Sequence, residues 1–322
     1  MRPAGHTALT ALGAVGAVGV AAGVWGVGIE RYLFTLRRHE LAVLPPGSPS
    51  VTVLHLSDAH MAPWQHRKQR WIADIADRIQ PDLVVNTGDN LGHVDGLRGI
   101  RAAFAPLRGV PGFFVHGSND KVAPTARNPI KYLLGPSGPQ NHESFTPSLD
   151  TDALDDYLTG LGETLIDNTA ASIRVGGVRI DGFGVDDAHR DFDDLDASTD
   201  ALRALGGGAD VRLGVTHAPY RRVLDAFADA GADLLIGGHT HGGQVRIPFS
   251  KKALVSNCDI PLEKARGLSS WTHDGRTVPL NVSAGLGHSI YAPVRFACRP
   301  EASVLVLRAR RADDSPEGRS AG

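Results

Sequence analysis

Five short segments carry side chains suited to metal coordination or proton transfer. They are Ser57-Asp58-Ala59-His60, Gly88-Asp89-Asn90, Gly117-Ser118-Asn119-Asp120, Thr216-His217 and Gly238-His239-Thr240-His241. Each directly follows a short apolar run rich in β-branched residues. One Asp-x-His or His-x-His is a weak signal, because a histidine at a strand end more often caps or packs than ligates. In succession, all at the same kind of junction, the five converge if the runs are strands of an open α/β sheet, whose carboxyl ends open on a common crevice. A mixed set of imidazole and carboxylate suits Mn, Fe or Zn, whereas Mg and Ca prefer oxygen alone. Two such cations about 3.5–4 Å apart repel each other, so a bridging carboxylate is needed. Asp58 and His60, like His239 and His241, are two residues apart and share a side if the backbone stays extended. Glycines before Asp89 and Asn119 and around His239 allow the backbone to approach the ions closely.

The elements that must position these groups are legible as alternating runs. Strands are expected at Val51–Leu56, Leu83–Thr87, Gly112–His116, Val178–Phe183, Val211–Thr216, Asp233–Gly237, Gln244–Ile247, Leu280–Ser283 and Ser303–Leu307. Helices are expected at Arg67–Ile79, Leu97–Leu107 and Tyr220–Ala230. Strands alternating with helices indicate an α/β core, and the late strands an added antiparallel portion. Lys121–Ser148 and Pro248–Pro279 read as long loops. The charged tail from Arg308 reads as disordered.

The order Asp-x-His, Gly-Asp, Asn, His, Gly-His-x-His resembles the calcineurin-like metallophosphoesterase superfamily from about Val51 to Leu307. The segment from Gly237 to Gln244, with Gly285-Leu286-Gly287, Arg295 and Pro300-Glu301, is similar to its membrane-associated bacterial, phosphodiesterase-like branch. The resemblance implies a four-layer α/β-β/α sandwich with metals at one end. It assigns Asp58, His60 and His241 to one divalent ion and Asn119, His217 and His239 to a second, with Asp89 bridging both. It also implies in-line attack of hydroxide, held on the metals, on a phosphodiester or a lipid-linked phosphate ester. One departure stands out: the family usually has histidine after the asparagine ligand, where it assists the leaving group, and here Asp120 follows Asn119. The candidates for that role are Asp120, His116 and His142; otherwise Asp120 orients a metal-bound histidine.

The N-terminus adds a location. No charged residue occurs from Thr7 to Ile29, a run long enough as a helix to span about 30 Å of hydrocarbon. Trp25 and Tyr32 sit where interfacial aromatics belong. The expected organisation is a transmembrane anchor over 1–30, a Pro-rich juxtamembrane linker over 31–50, the metallophosphoesterase domain over 51–308 and a tail over 309–322. Arg31, Arg37 and Arg38 outnumber Arg2, which slightly favours a cytoplasmic domain on a single-pass cell-membrane protein.

A net charge of −2 offers no basic face for nucleic acid. Cys258 and Cys298 read as two thiols rather than a disulfide. His55 reads as a core residue, His93 as a loop residue, and Lys121, Arg127 and Lys131 as surface charge. The acidic run Asp186 to Asp196 lacks the glycine and terminal Glu of a calcium loop and reads as a helix start. Two other readings compete with the hydrolase: a catalytically silent, membrane-anchored metal-binding adaptor, and a dinuclear peptidase. The presence of all seven ligand residues argues against the first, and the lack of a motif for a carboxylate general base argues against the second.

Overall fold

A computed structural model of the chain describes residues 16–124, 148–250, 252–288 and 290–311. Two six-stranded sheets form its centre. The first contains β1 (Thr35–Leu44), β2 (Val51–Leu56), β3 (Leu83–Asn86), β4 (Gly112–Phe114), β5 (Glu163–Leu165) and β12 (Glu301–Ala309). The second contains β6 (Thr169–Val175), β7 (Val178–Val185), β8 (Val211–Thr216), β9 (Leu234–Gly237), β10 (Gly267–His273) and β11 (Arg276–Val282). Their orders are β1-β12-β2-β3-β4-β5 and β10-β11-β9-β8-β7-β6. The strands that lead into the five polar segments, β2, β3, β4, β8 and β9, pair in parallel within their sheets. Their carboxyl ends therefore lie on one side of the molecule.

Alternation along each strand builds the layers. In β2, Val51 and Val53 join Val85, Phe113, Leu213 and Ile236 in the core between the sheets. Leu54 and Leu56 face the other way, against α1 (His66–Ile79), α2 (Gly96–Phe104) and α3 (Thr151–Leu161), through Ile72, Ile75, Phe104 and Leu158. Across the second sheet, Phe183, Leu235 and Val282 pack on α5 (Arg221–Asp229) through Val223, Leu224 and Phe227, with Leu202 from α4 (Leu195–Ala204). Strands covered on both faces read as near-continuous apolar runs with few polar interruptions, which is why β2, β3, β8 and β9 are visible in the sequence. The four-layer arrangement agrees with the expected fold.

Several expectations change. The 31–50 stretch is more than a spacer: β1 runs parallel to β12 from Thr35↔Glu301 to Leu44↔Ala309 and buries Leu41, Val43 and Leu44 between the sheets. Its charges conceal it, because Arg37 and Glu40 pair across the strands with Glu301 and Arg308. Gln244–Ile247 is not a strand and makes only isolated bridges from Val245 and Arg246. The supposed loop 248–279 contains β10, paired antiparallel with β11. Arg308 belongs to β12 and not to a tail.

Residues 16–24 are helical, followed by a widened turn over Trp25–Ile29 and a tight one over Glu30–Tyr32. Among the described residues, no helix is long and apolar enough to cross a membrane; the first part of the apolar run lies outside them. Most of Lys121–Ser148, including Arg127, Lys131 and His142, also lies outside. Cys258 and Cys298 are buried free thiols.

Candidate metal centre

The seven residues expected to hold metal meet at the carboxyl ends of the parallel strands, and Asp58, His60, Asp89 and His241 place one ligand atom each within 4.8 Å of one another. His60 Nε2 lies 3.1 Å from His241 Nε2 and 3.3 Å from Asp89 Oδ2, and His241 Nε2 lies 3.6 Å from Asp58 Oδ1. On the other side of Asp89, Oδ1 is 3.6 Å from His217 Nε2, which is 3.1 Å from His239 Nδ1. Donors bonded to one small dication at about 2.0–2.2 Å stand a little over 3 Å apart, so both groups fit that role. Asp89 presents one oxygen to each. Asn119 donates its backbone N–H to Asp89 Oδ1 and its amide N–H to Oδ2, both at 2.8 Å. A half-turn of the amide exchanges its nitrogen for an oxygen donor.

Backbone geometry brings these groups together differently from the sequence expectation. Asp58 (φ 48°), His60 (φ 38°), Asp89 (φ 53°), His239 (φ 63°) and His241 (φ 48°) are all left-handed, so neither x-separated pair lies on extended chain. Each such residue costs about 1–2 kcal/mol. Hydrogen bonds between the loops hold the turns: Asp58 N and His60 N donate to Gly88 O and Asp89 O at 2.9 Å, and Gly287 N donates to Asp58 O at 2.6 Å. His217 Nδ1 meets Thr87 O at 2.7 Å, fixing that ring. Two glycines are required by contact. A Cβ on Gly117 would sit 2.3 Å from Asp89 Oδ1, and one on Gly238 would sit 2.1 Å from Ser57 Oγ.

The electrostatics suit cations. Burial lowers His60 to about 4, and burial with neighbouring histidines holds His239 and His241 well below the usual range, so their ring lone pairs are available at neutral pH. Burial raises Asp58 to about 7, with His217 opposing and Asp89 reinforcing the rise. Burial also resists the charge on Asp89, but His217, His60 and the Asn119 N–H groups outweigh it and the carboxyl is lowered. At His217 burial is overcome by Asp89, Asp187 and Asp58, and the ring rises to about 9. A field that holds a proton on a buried imidazole also favours a metal cation among the same carboxylates.

The model of the calcineurin-like phosphoesterase family matches residues 51–243. The chain belongs to that family. It is 25% identical over 283 residues to phosphodiesterase YaeI of Escherichia coli (strain K12), covering 85% of this chain and 88% of that one. It is 24% identical over 286 residues to the UDP-2,3-diacylglucosamine pyrophosphatase LpxG of Chlamydia muridarum, covering 79% and 82%. The uncharacterized metallophosphoesterase YkuE of Bacillus subtilis (strain 168) is 23% identical over 295 residues, covering 88% and 90%. As a calcineurin-like phosphoesterase, this protein is a metal-dependent phosphoester hydrolase.

Within the phosphoesterase site, neither described candidate for the proton donor is free for that task. Asp120 accepts from Asp89 N and Asn90 N at 2.7 Å and from Gly117 N at 3.0 Å, pinning two ligand loops together. Burial raises its carboxyl, with His116 and the backbone N–H groups opposing. His116 places both ring nitrogens on carboxylates, Asp167 and Asp155, at 2.7 Å each. Burial opposes its charge, but the two aspartates prevail and raise it to about 10. His55 is a core residue as expected, between Thr87 Oγ1 at 3.0 Å and Asn281 Nδ2 at 2.9 Å. Lys121 pairs with Asp186, and Asp194 caps α4.

Two residues escaped sequence reasoning, Lys68 and His189, and a third, Arg295, was noticed there without its role. Arg295 is fully buried and donates to the carbonyls of Ala284, Gly287 and His241, tying the Gly285-Leu286-Gly287 loop to the His239-Thr240-His241 loop. Lys68 is buried and donates to Ala59 O, between two ligands, at 2.5 Å. The His189 ring lies 4.5 Å from that of His239, with its Nδ1 2.8 Å from Tyr220 Oη. Arg295 had a signal in the family resemblance. For the other two, nothing local distinguishes a buried cation or a loop histidine from surface residues.

Proposed function

We propose that this chain hydrolyses a phosphodiester or a lipid-linked phosphate ester at a centre of two divalent ions, working against a membrane. The observation that carries the reading is the convergence of two donor groups on opposite oxygens of Asp89. Asp58, His60 and His241 would hold one ion, Asn119, His217 and His239 the other, and Asp89 both. When bound, such ions acidify water to near neutrality and neutralise the phosphoryl oxygens. The protein's own residues fix the arrangement: Asp120 sets the distance between the Asp89 and Asn119 loops, and Arg295 sets the position of His241. Because Asp120 and His116 are occupied as described, esters with good leaving groups are the better substrates.

The lipid-linked substrate draws support from LpxG, whose name specifies a diacylated sugar nucleotide. Membrane attachment draws support from the apolar run ending at Ile29, whose described part exposes Val18, Val20, Val24 and Ile29. The test compares hydrolysis of bis-p-nitrophenyl phosphate, p-nitrophenyl phosphate and an aminoacyl p-nitroanilide, with and without Mn, Fe or Zn. Metal-dependent turnover led by the diester is expected. Cleavage of the amide alone would establish the peptidase, and metal binding without any turnover would establish the silent adaptor.

A further inference from the structure

Where the N-terminal segment meets the domain, a cleft of about 500 Å³ is lined by Trp25, Arg37, Arg266, Phe296 and Arg299, with Pro248 and Glu30. Glu30 is buried and its oxygens are already occupied: they accept from Ala297 N at 2.9 Å, Cys298 N at 2.7 Å and Trp25 Nε1 at 2.6 Å. Arg37 is paired with Glu301. Arg266 and Arg299 have no carboxylate partner among the described residues, and buried Arg246 lies close enough to Arg266 for their charges to repel. With Arg37 paired to Glu301, the two charges of Arg266 and Arg299 exceed the single charge of Glu30, and the cleft is left net positive.

Its surroundings are apolar and exposed. Ile247 is 57% exposed and Phe249 fully so, on either side of Pro248; Trp25, Val27 and Ile29 are each about two-fifths exposed. Arginines set among exposed aromatic and aliphatic side chains are the arrangement found at a membrane–water boundary, where apolar groups enter the acyl region and cations meet phosphates. A soluble anion would account for the arginines but not for Phe249 and Ile247. The volume lies in the range of small-molecule sites, about 300–1,000 Å³, which accommodates a phosphate with its glycerol.

We propose that this cleft binds the phosphate of an anionic membrane lipid, seating the domain on the bilayer surface beside its apolar N-terminal segment. The site deepens the membrane-bound reading and lies outside the metal centre, although its wall at Phe296 to Cys298 backs onto His241 through Cys298 Sγ, 3.4 Å from His241 O.

The experiment is native mass spectrometry of the full chain in neutral detergent, titrated with phosphatidylglycerol, phosphatidylcholine, glycerol 3-phosphate or inorganic phosphate. Wild type is expected to retain phosphatidylglycerol over phosphatidylcholine by about 25-fold. Arg266→Gln with Arg299→Gln is expected to erase the preference, at about five-fold for each arginine. Arg299→Gln alone, at an exposed position, is expected to lose its share and serves if the double variant does not fold. Equal retention of both lipids, or a preference unchanged in the variants, overturns the site. Binding of glycerol 3-phosphate or phosphate as tight as that of phosphatidylglycerol overturns the lipid and assigns a soluble ligand. Hydrolysis of bis-p-nitrophenyl phosphate by wild type and its recovery in the membrane fraction are measured separately. The metal-centre and anchor readings can therefore fail while the lipid preference stands, or hold while it fails.

Discussion

At the scale of single residues, Asp120 and His116 decide how the centre is held. Asp120→Ala would leave three buried N–H groups without an acceptor, a loss of about 3–5 kcal/mol, with metal affinity falling about 10–100-fold. Asp120→Asn, assayed on aryl and alkyl diesters across pH, is expected to slow both by the same factor and leave the acidic limb in place. A selective loss on alkyl esters with that limb moved would make Asp120 the proton donor. His116→Gln would strand Asp155 and Asp167 around an uncharged side chain and cost about 3 kcal/mol. The His116 ring is raised from about 6.5 to about 10 by folding. In that window the native state binds more protons than the unfolded one, so stability falls as pH rises. The contribution is complete below about 6.5 and gone above about 10. Urea unfolding of wild type should weaken across this range, and that of His116→Gln should weaken less. The convergence of Asp58, His60, Asp89, His217, His239 and His241 was legible because chemistry demands such residue types at strand ends. The left-handed turns that aim them were not, since Asp and His adopt a positive φ more often than most residues but still at only a small minority of positions.

Among the elements, β1 is the clearest case of structure hidden by composition. Thr35–Leu44 mixes two arginines, a histidine and a glutamate with its leucines, as expected of a strand at a sheet edge with one wet face. The strands buried on both faces were found almost to the residue, whereas β5, β6 and β10 were missed: they are short or half-exposed and carry no long apolar run. A chain starting at Ser50 would therefore lack an integral strand. Losing the burial of Leu41, Val43 and Leu44 removes about 1.5–3 kcal/mol each and exposes β12 as an edge. Thermal unfolding of that chain is expected about 10 °C or more below that of a chain starting at Arg31, with self-association. Equal melting temperatures would show β1 to be dispensable.

For the whole molecule, two sheets place five loops around one point, and the N-terminal segment docks beside the loop that carries Arg295. Arg295 N donates to Gly26 O at 3.1 Å, so the segment leading from the apolar run is part of the folded body. If the run anchors the chain, the protein should resist high-salt and carbonate washing of membranes and leave only with detergent. Release by salt alone would contradict the anchor. The small excess of arginines after the run gives the expectation that intact spheroplasts protect the domain from added protease.

The central claim is that Asp89 joins two metal ions into one hydrolytic centre. Its most direct measurement is metal content per folded chain by plasma mass spectrometry, for wild type and Asp89→Asn, alongside bis-p-nitrophenyl phosphate turnover on the same samples. Wild type is expected to hold two divalent ions, and Asp89→Asn one or none, with turnover reduced about 100-fold or more while the circular dichroism spectrum is kept. A variant with two ions and wild-type turnover, or a wild type fully active with a single ion, would contradict it.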